Sequence, residues 1–124
     1  MKSFLTYSAI IEALTGLGLL IVPSKVVLIL LETELNAPLD IILSMVAGAA
    51  IFSLALICWF FRLQTASLIS VKGMLFYNVA VASVLLYGAW GLGFKGFALW
   101  LVIVFHFIQT VICVFFINKR KNAH

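Results

Sequence analysis

Two side chains able to exchange a proton stand in segments where hydrocarbon is expected. Glu12 lies in "FLTYSAIIEALTGLGLLIV" and His106 in "VIVFHFIQTVICVFF". An ionisable group at the centre of a membrane span costs about 2.5–3.5 kcal/mol on insertion scales, so it usually faces the bundle interior and has a use. At helical spacing Glu12 shares its face with Ser8, Thr15 and Gly16, and His106 shares its face with Gln109, Thr110 and Cys113. Phe105, Phe107, Phe115 and Phe116 mostly fall elsewhere, which leaves a narrow polar stripe on an aromatic cylinder. From the helical rise, Glu12 lies about 12 Å and His106 about 14 Å into their segments, from opposite ends. Both are therefore expected near mid-depth, where they can share a proton. Burial favours the neutral form of each, and mutual proximity favours the charged pair. Easy switching between those states is what proton-coupled transport uses. The bland account is interhelical glue, worth about 0.6–2 kcal/mol per hydrogen bond.

Asn78, in "FYNVA", is expected about 8 Å from its segment's end, as an interhelical hydrogen-bonding group beside Tyr77. Cys58 and Cys113 each sit inside an apolar run without metal-type spacing, and read as small apolar fillers rather than a disulfide. A heme or metal site would want a second His or Cys at matching depth, and the other histidine, His124, is at the tail. No cofactor is called for, although His106 from each of several copies could hold a heme or a quinone.

The elements that must position these groups follow from composition. The chain has 124 residues, of which 65% are hydrophobic and 10% charged, and its mean hydropathy is +1.27. A soluble domain carries about 25% charged residues. So much apolar surface cannot be hidden in so short a chain, so lipid is the expected solvent and one domain the expected count. The net charge of +4 does not signal nucleic acid, because the basic residues cluster at the ends of apolar runs. A helical span needs about 20 apolar residues. Four segments qualify, at roughly 4–22, 39–61, 73–93 and 97–117. Pro23 closes the first, Pro38 precedes the second, and Asn118 with Lys119, Arg120 and Lys121 stops the fourth. The first lacks a small-x-small cleavage pattern and reads as a retained span rather than a signal peptide.

Lys2, Arg62, Lys72, Lys119, Arg120 and Lys121 fall on one side of this four-span arrangement. Lys25 and Lys95 fall on the other with Glu32, Glu34 and Asp40. The positive-inside rule then puts both termini in the cytoplasm. Tyr87, Trp90 and Trp100 fall near the outer interface and Trp59 near the inner one, where amphipathic rings anchor. The first outer loop, "SKVVLILLETELNAP", is too apolar for a plain loop. It is expected as an interfacial helix over 24–35, the alternative being an extension of the first span past Pro23, with its acids simply solvated. Small residues let helix backbones approach closely. Ser44, Gly48 and Ala55 with Ala47, Ala49 and Ala50 in the second span, and Ala80, Ala82, Ser83, Gly88 and Gly91 in the third, predict that these two form the tight centre.

The segments "GLGLLIVP", "MVAGAAIFSLALICWFFR", "LFYNVAVASVLLYGA" and "LWLVIVFH" together resemble small four-span bacterial membrane proteins of the broadly DoxX-like kind. That resemblance covers most of the chain and implies a fold and a compartment, with no chemistry attached. The length, four spans and first-span Glu12 are also similar to the small multidrug resistance transporters, and "YGAWGLG", with Tyr87 and Trp90, is similar to the Tyr-x-x-Trp pattern of their third span. In that family the glutamate exchanges protons for cationic substrates in a dimer. The long first loop, His106 and the outer position of Tyr87 and Trp90 depart from it.

The expected molecule is thus an all-α integral membrane protein with four transmembrane helices in an up-down bundle, in a bacterial inner membrane. Its partners would be the lipid bilayer, further copies of itself, and a small-molecule or ion substrate, with no nucleic acid. Glu12, His106, Gln109 and Asn78 are the candidate transport or proton site. The leading function is proton- or cation-coupled transport or channel-like conduction, more readily than enzyme catalysis. The alternative is a non-catalytic subunit or scaffold.

Overall fold

A residue before proline is pushed out of the helical region, and proline itself sits well at a helix's first position. Both effects act at Val22-Pro23. The first helix, α1 (Lys2–Ile21), ends there with Val22 non-helical at φ −135°, ψ 54°, and α2 (Pro23–Leu31) begins with Pro23 in its first turn. A computed structural model describes residues 1–64 and 67–122; His124 lies outside the described residues. Three long helices follow: α3 (Pro38–Phe61), α4 (Ser67–Gly91) and α5 (Phe97–Lys121). The described residues are helical or irregular, with no strand. Of the five helices, α1, α3, α4 and α5 are long and apolar enough to cross a membrane.

Local chemistry explains the ends. Asp40 reaches back so that its Oδ2 accepts the Ala37 N–H at 3.1 Å, closing the start of α3. Gly93 takes a left-handed φ of 78° after α4, and the Phe94 N–H returns to the Gly88 carbonyl at 3.1 Å. Lys119, Arg120 and Lys121 occupy the last turn of α5, where cations meet the negative end of the helix dipole. The basic run therefore continues the fourth long helix instead of stopping it at 117. In the same way α4 starts at Ser67 rather than 73 and takes Lys72 into its first turns. Helical hydrogen bonding does not need apolar side chains, so helices outlast the apolar runs that mark them.

The segment expected as a helix over 24–35 is a separate helix of 9 residues, and it ends at Leu31 because Glu32 adopts a left-handed φ of 50°. Glu32 is more than a solvated acid, since its Oε1 accepts the Phe97 N–H at 3.3 Å at the start of α5. Next to it Gly96 lies so close to α2 that a Cβ there would stand 2.5 Å from the Leu30 carbonyl oxygen. The two connections on that end of the bundle are thereby locked together.

The main packing pairs are α1 with α3 and α4 with α5. This corrects the expectation that the second and third spans form the tight centre. The close crossing is Gly16 against Gly48: a Cβ on Gly16 would lie 2.8 Å from the Gly48 carbonyl oxygen, and one on Gly48 2.8 Å from that of Gly16. Most of the small residues on α3 and α4, among them Ala47, Ala49, Ala80 and Ser83, are exposed. Gly48 finds its partner in the "TGLG" of α1, a stretch that reads in sequence merely as the end of a span.

At one end of the bundle Leu5 and Ala9 of α1, Cys58 of α3, Val71 and Met74 of α4 and Cys113 of α5 form the core. Beginnings of α1 and α4 thus meet the ends of α3 and α5, the arrangement of an up-down bundle. Both cysteines are buried and free. The exterior is apolar: only 17–33% of each long apolar window is buried, and Phe76 and Trp90 are 78% and 74% exposed. On α5 the exposed rings include Phe97, Phe107 and Phe115.

Candidate functional site: a buried polar layer across three helices

Each long helix presents one narrow buried stripe. On α1 it reads Leu5, Ser8, Ala9, Glu12, Gly16, and on α5 Leu99, Ile103, His106, Gln109, Cys113. These spacings of three and four residues keep a single face inward. Because α1 and α5 are antiparallel, one turn forward on α1 matches one turn back on α5. Ser8 therefore meets Gln109, and Glu12 is brought to the level of His106.

The first of these levels is a direct contact. Gln109 Nε2 donates to Ser8 Oγ at 3.2 Å, and the Ser8 hydroxyl lies 3.5 Å from Gln109 Oε1. The depth match expected from sequence is thus realised one turn away from the ionisable pair. At the next level Glu12 and His106 do not bond to each other, and Tyr77 of α4 touches both. Tyr77 and Asn78 are neighbours in sequence, and successive side chains on a helix diverge by about 100°. Tyr77 turns toward α1 and donates its hydroxyl to Glu12 Oε2 at 3.0 Å. Asn78 turns toward α5, where its Oδ1 lies 2.7 Å from His106 Nδ1, while its Nδ2 donates to the Met74 carbonyl at 2.7 Å. The Tyr77 and His106 rings meet edge to face, with centroids 5.7 Å apart. The order across the layer is Glu12, Tyr77, then His106 with Asn78.

All four expected site residues are buried: Asn78 fully, Glu12 to within 2% exposure, and His106 and Gln109 to within 5%. The structure places them at two adjacent levels, Gln109 with Ser8 at one and Glu12, His106 and Asn78 with Tyr77 at the next. Sequence reasoning placed Ser8 on the Glu12 face and Tyr77 beside Asn78, but it did not assign either as a partner. The signal for Ser8 was present in its place four residues before Glu12 on the same helical face. Tyr77 carried no such signal, since its role depends on where α4 is inserted.

One atom is left over. Glu12 Oε1 is buried and has no hydrogen-bond partner among the described residues. A buried acceptor without a partner costs about 1–3 kcal/mol, more if charged. A proton on that oxygen removes the charge from the apolar interior while leaving the Tyr77 bond intact. Chemically, the layer can hold a proton on Glu12 and place a tyrosine hydroxyl and an imidazole beside it. Among the described residues no group of three or more His, Cys, Asp or Glu side chains is arranged to hold a metal ion.

An open apolar groove of about 310 Å³ lies elsewhere, between α1 and α3, lined by residues including Ala9, Ala13, Ala55, Leu56 and Trp59. Its lining includes none of the polar layer. At the end of α3 the Arg62 guanidinium stacks on the Trp59 ring at 3.5 Å and donates to the Trp59 carbonyl. Trp90 and Trp100, at the opposite end, pair edge to face at 6.1 Å. No family model, no curated protein and no solved structure matches this chain.

Proposed function

We propose that the chain is an integral membrane protein that handles protons, as a small proton- or cation-coupled transporter or channel-like protein, with Glu12 as the exchanging carboxyl. The observation that carries this reading is the half-satisfied Glu12: one oxygen held by Tyr77, the other buried without a partner among the described residues, midway along a membrane-length helix. The apolar exterior supports insertion, because so large an exposed apolar surface suits lipid rather than water. Lys2, Arg62, Lys119, Arg120 and Lys121 gather at one end of the bundle, which supports cytoplasmic termini by the positive-inside rule, in a bacterial inner membrane. Four closely packed helices enclose little space, so a conduction path forms more readily between copies in a homo-oligomer.

The test is proton flux into liposomes carrying the purified protein, driven by a potassium diffusion potential and read with an entrapped pH dye. The expected result is flux in the parent and loss in Glu12→Gln, with Tyr77→Phe reduced and the helix content of both unchanged. Parent flux no greater than in protein-free liposomes would overturn the proton reading. A second reading, a non-catalytic subunit or scaffold, is favoured by the two satisfied pairs, Ser8 with Gln109 and Asn78 with His106. It predicts the reverse pattern: no flux in any form, and lower thermal stability or broken oligomers in each variant.

A further inference from the structure

The bonds around Asn78 leave no freedom in assigning its amide. Its terminal atom 2.7 Å from the Met74 carbonyl faces a pure acceptor, so that atom is the NH₂ and the other is the oxygen. That oxygen lies 2.7 Å from His106 Nδ1. An amide oxygen can only accept, so Nδ1 must carry the hydrogen. A neutral imidazole has one N–H, which leaves a lone pair on Nε2. Both residues are buried, so water does not compete for the contact. The rings of Tyr77 and Phe105 meet the imidazole edgewise, with centroids at 5.7 and 5.5 Å, and hold its plane.

We infer that Asn78 is a positioning residue that locks His106 as the Nδ1–H tautomer and so presents Nε2 as a second proton-accepting atom of the layer. On uptake, one O–H bond of a hydronium breaks as the Nε2 lone pair forms an N–H bond, and a water molecule leaves. No bond to Asn78 breaks, because Nδ1 donates both in the neutral ring and in the imidazolium. Glu12 is built on the same plan: Tyr77 occupies Oε2, and a proton added at Oε1 leaves that bond in place. Each site can therefore load and unload without repacking its helix. The other titratable and charged groups on these helices are Lys2, Tyr7 and Glu12 on α1, Lys25 on α2, Asp40 and Cys58 on α3, Lys72, Tyr77 and Tyr87 on α4, and Cys113, Lys119, Arg120 and Lys121 on α5 itself; of these, Glu12, Cys58 and Cys113 are buried and Tyr77 half-buried. The purpose of this lock rests on the proton-handling reading above, whereas the tautomer is measured independently of flux.

The experiment is nitrogen-15 NMR of histidine-labelled full-length protein in lipid nanodiscs, carrying His124→Gln so that His106 is the one histidine left. The expected spectrum at alkaline pH shows a protonated-type resonance from Nδ1 and an unprotonated-type one from Nε2, and acidification changes Nε2 alone. A major Nε2–H tautomer, or acidification that changes Nδ1 alone, overturns the inference with no further variant needed. Asn78→Leu is expected to move the tautomer ratio about tenfold toward Nε2–H, the weight of one buried hydrogen bond. An unchanged ratio in folded Asn78→Leu, or in folded Asn78→Ala should the leucine variant not fold, removes Asn78 from the positioning role. The expected tautomer without proton flux would leave this inference standing and overturn only the transport reading.

Discussion

The crossing of α1 and α3 gives the sharpest quantitative test of the fold. A Cβ added at Gly16 would stand 2.7 Å from the Phe52 amide nitrogen and 2.8 Å from the Gly48 carbonyl oxygen. Both are backbone atoms, so no rotamer change relieves the clash. Ordinary contact begins at 3.4 Å, so the helices must part by about 0.6 Å. A gap of that size forfeits a quarter to a half of each dispersion contact, and a crossing holds about twenty such pairs at 0.1–0.2 kcal/mol each. The loss is about 1 kcal/mol, rising to ~2 kcal/mol as the Phe52 and Leu19 side chains leave their packing. Alanine also gains about 1 kcal/mol of helix propensity over glycine, which would mask the effect. Gly73→Ala supplies the control, because Gly73 lies within α4 and a Cβ there meets nothing within 4 Å. Unfolding by SDS titration in mixed micelles, followed by circular dichroism, should place Gly16→Ala and Gly48→Ala about 1–2 kcal/mol below Gly73→Ala. The double variant should cost less than the sum, since the first substitution already parts the helices. If Gly16→Ala and Gly48→Ala are tolerated as well as Gly73→Ala, the crossing is not where the structure puts it.

Three further outcomes follow from individual contacts. A double-mutant cycle of Ser8→Ala and Gln109→Leu should show a coupling of about 0.6–1.7 kcal/mol in the same unfolding assay, and zero coupling would mean that α1 and α5 do not meet there. Glu32→Ala should weaken the start of α5 by about 0.5–1 kcal/mol, seen as faster hydrogen exchange at the Phe97 amide; unchanged exchange would remove the contact. Gly96→Ala should part α2 from α5, because its Cβ would press on the Leu30 carbonyl, and a fluorescence-quenching distance between labels on the two helices would report the change.

The four long helices and the break at Pro23 were legible because each depends on local pattern. Apolar runs, proline and the rise per residue act within a single helix. The same holds for the polar stripe of α5, which emerges with His106, Gln109 and Cys113 buried as their spacing requires. The tight centre was misplaced because small residues show that a close approach is possible without naming the partner. Gly48 could have met α4, and the backbone path brings it to Gly16 instead. The spans read at 73–93 and 97–117 do not share their outer bounds with α4 and α5, because hydropathy marks where lipid suits a chain, while backbone hydrogen bonds mark where the helix stops.

Sequence by itself determined that Glu12 and His106 stand inside long apolar helices. Periodicity and composition suffice for that. Tertiary structure alone decided that Tyr77 would touch both, that Asn78 would take the imidazole, and that one oxygen of Glu12 would be left without a partner among the described residues. The reason is geometric: hydrogen bonds form over about 3 Å, and contacts at that range depend on how three helices are rotated and inserted against one another.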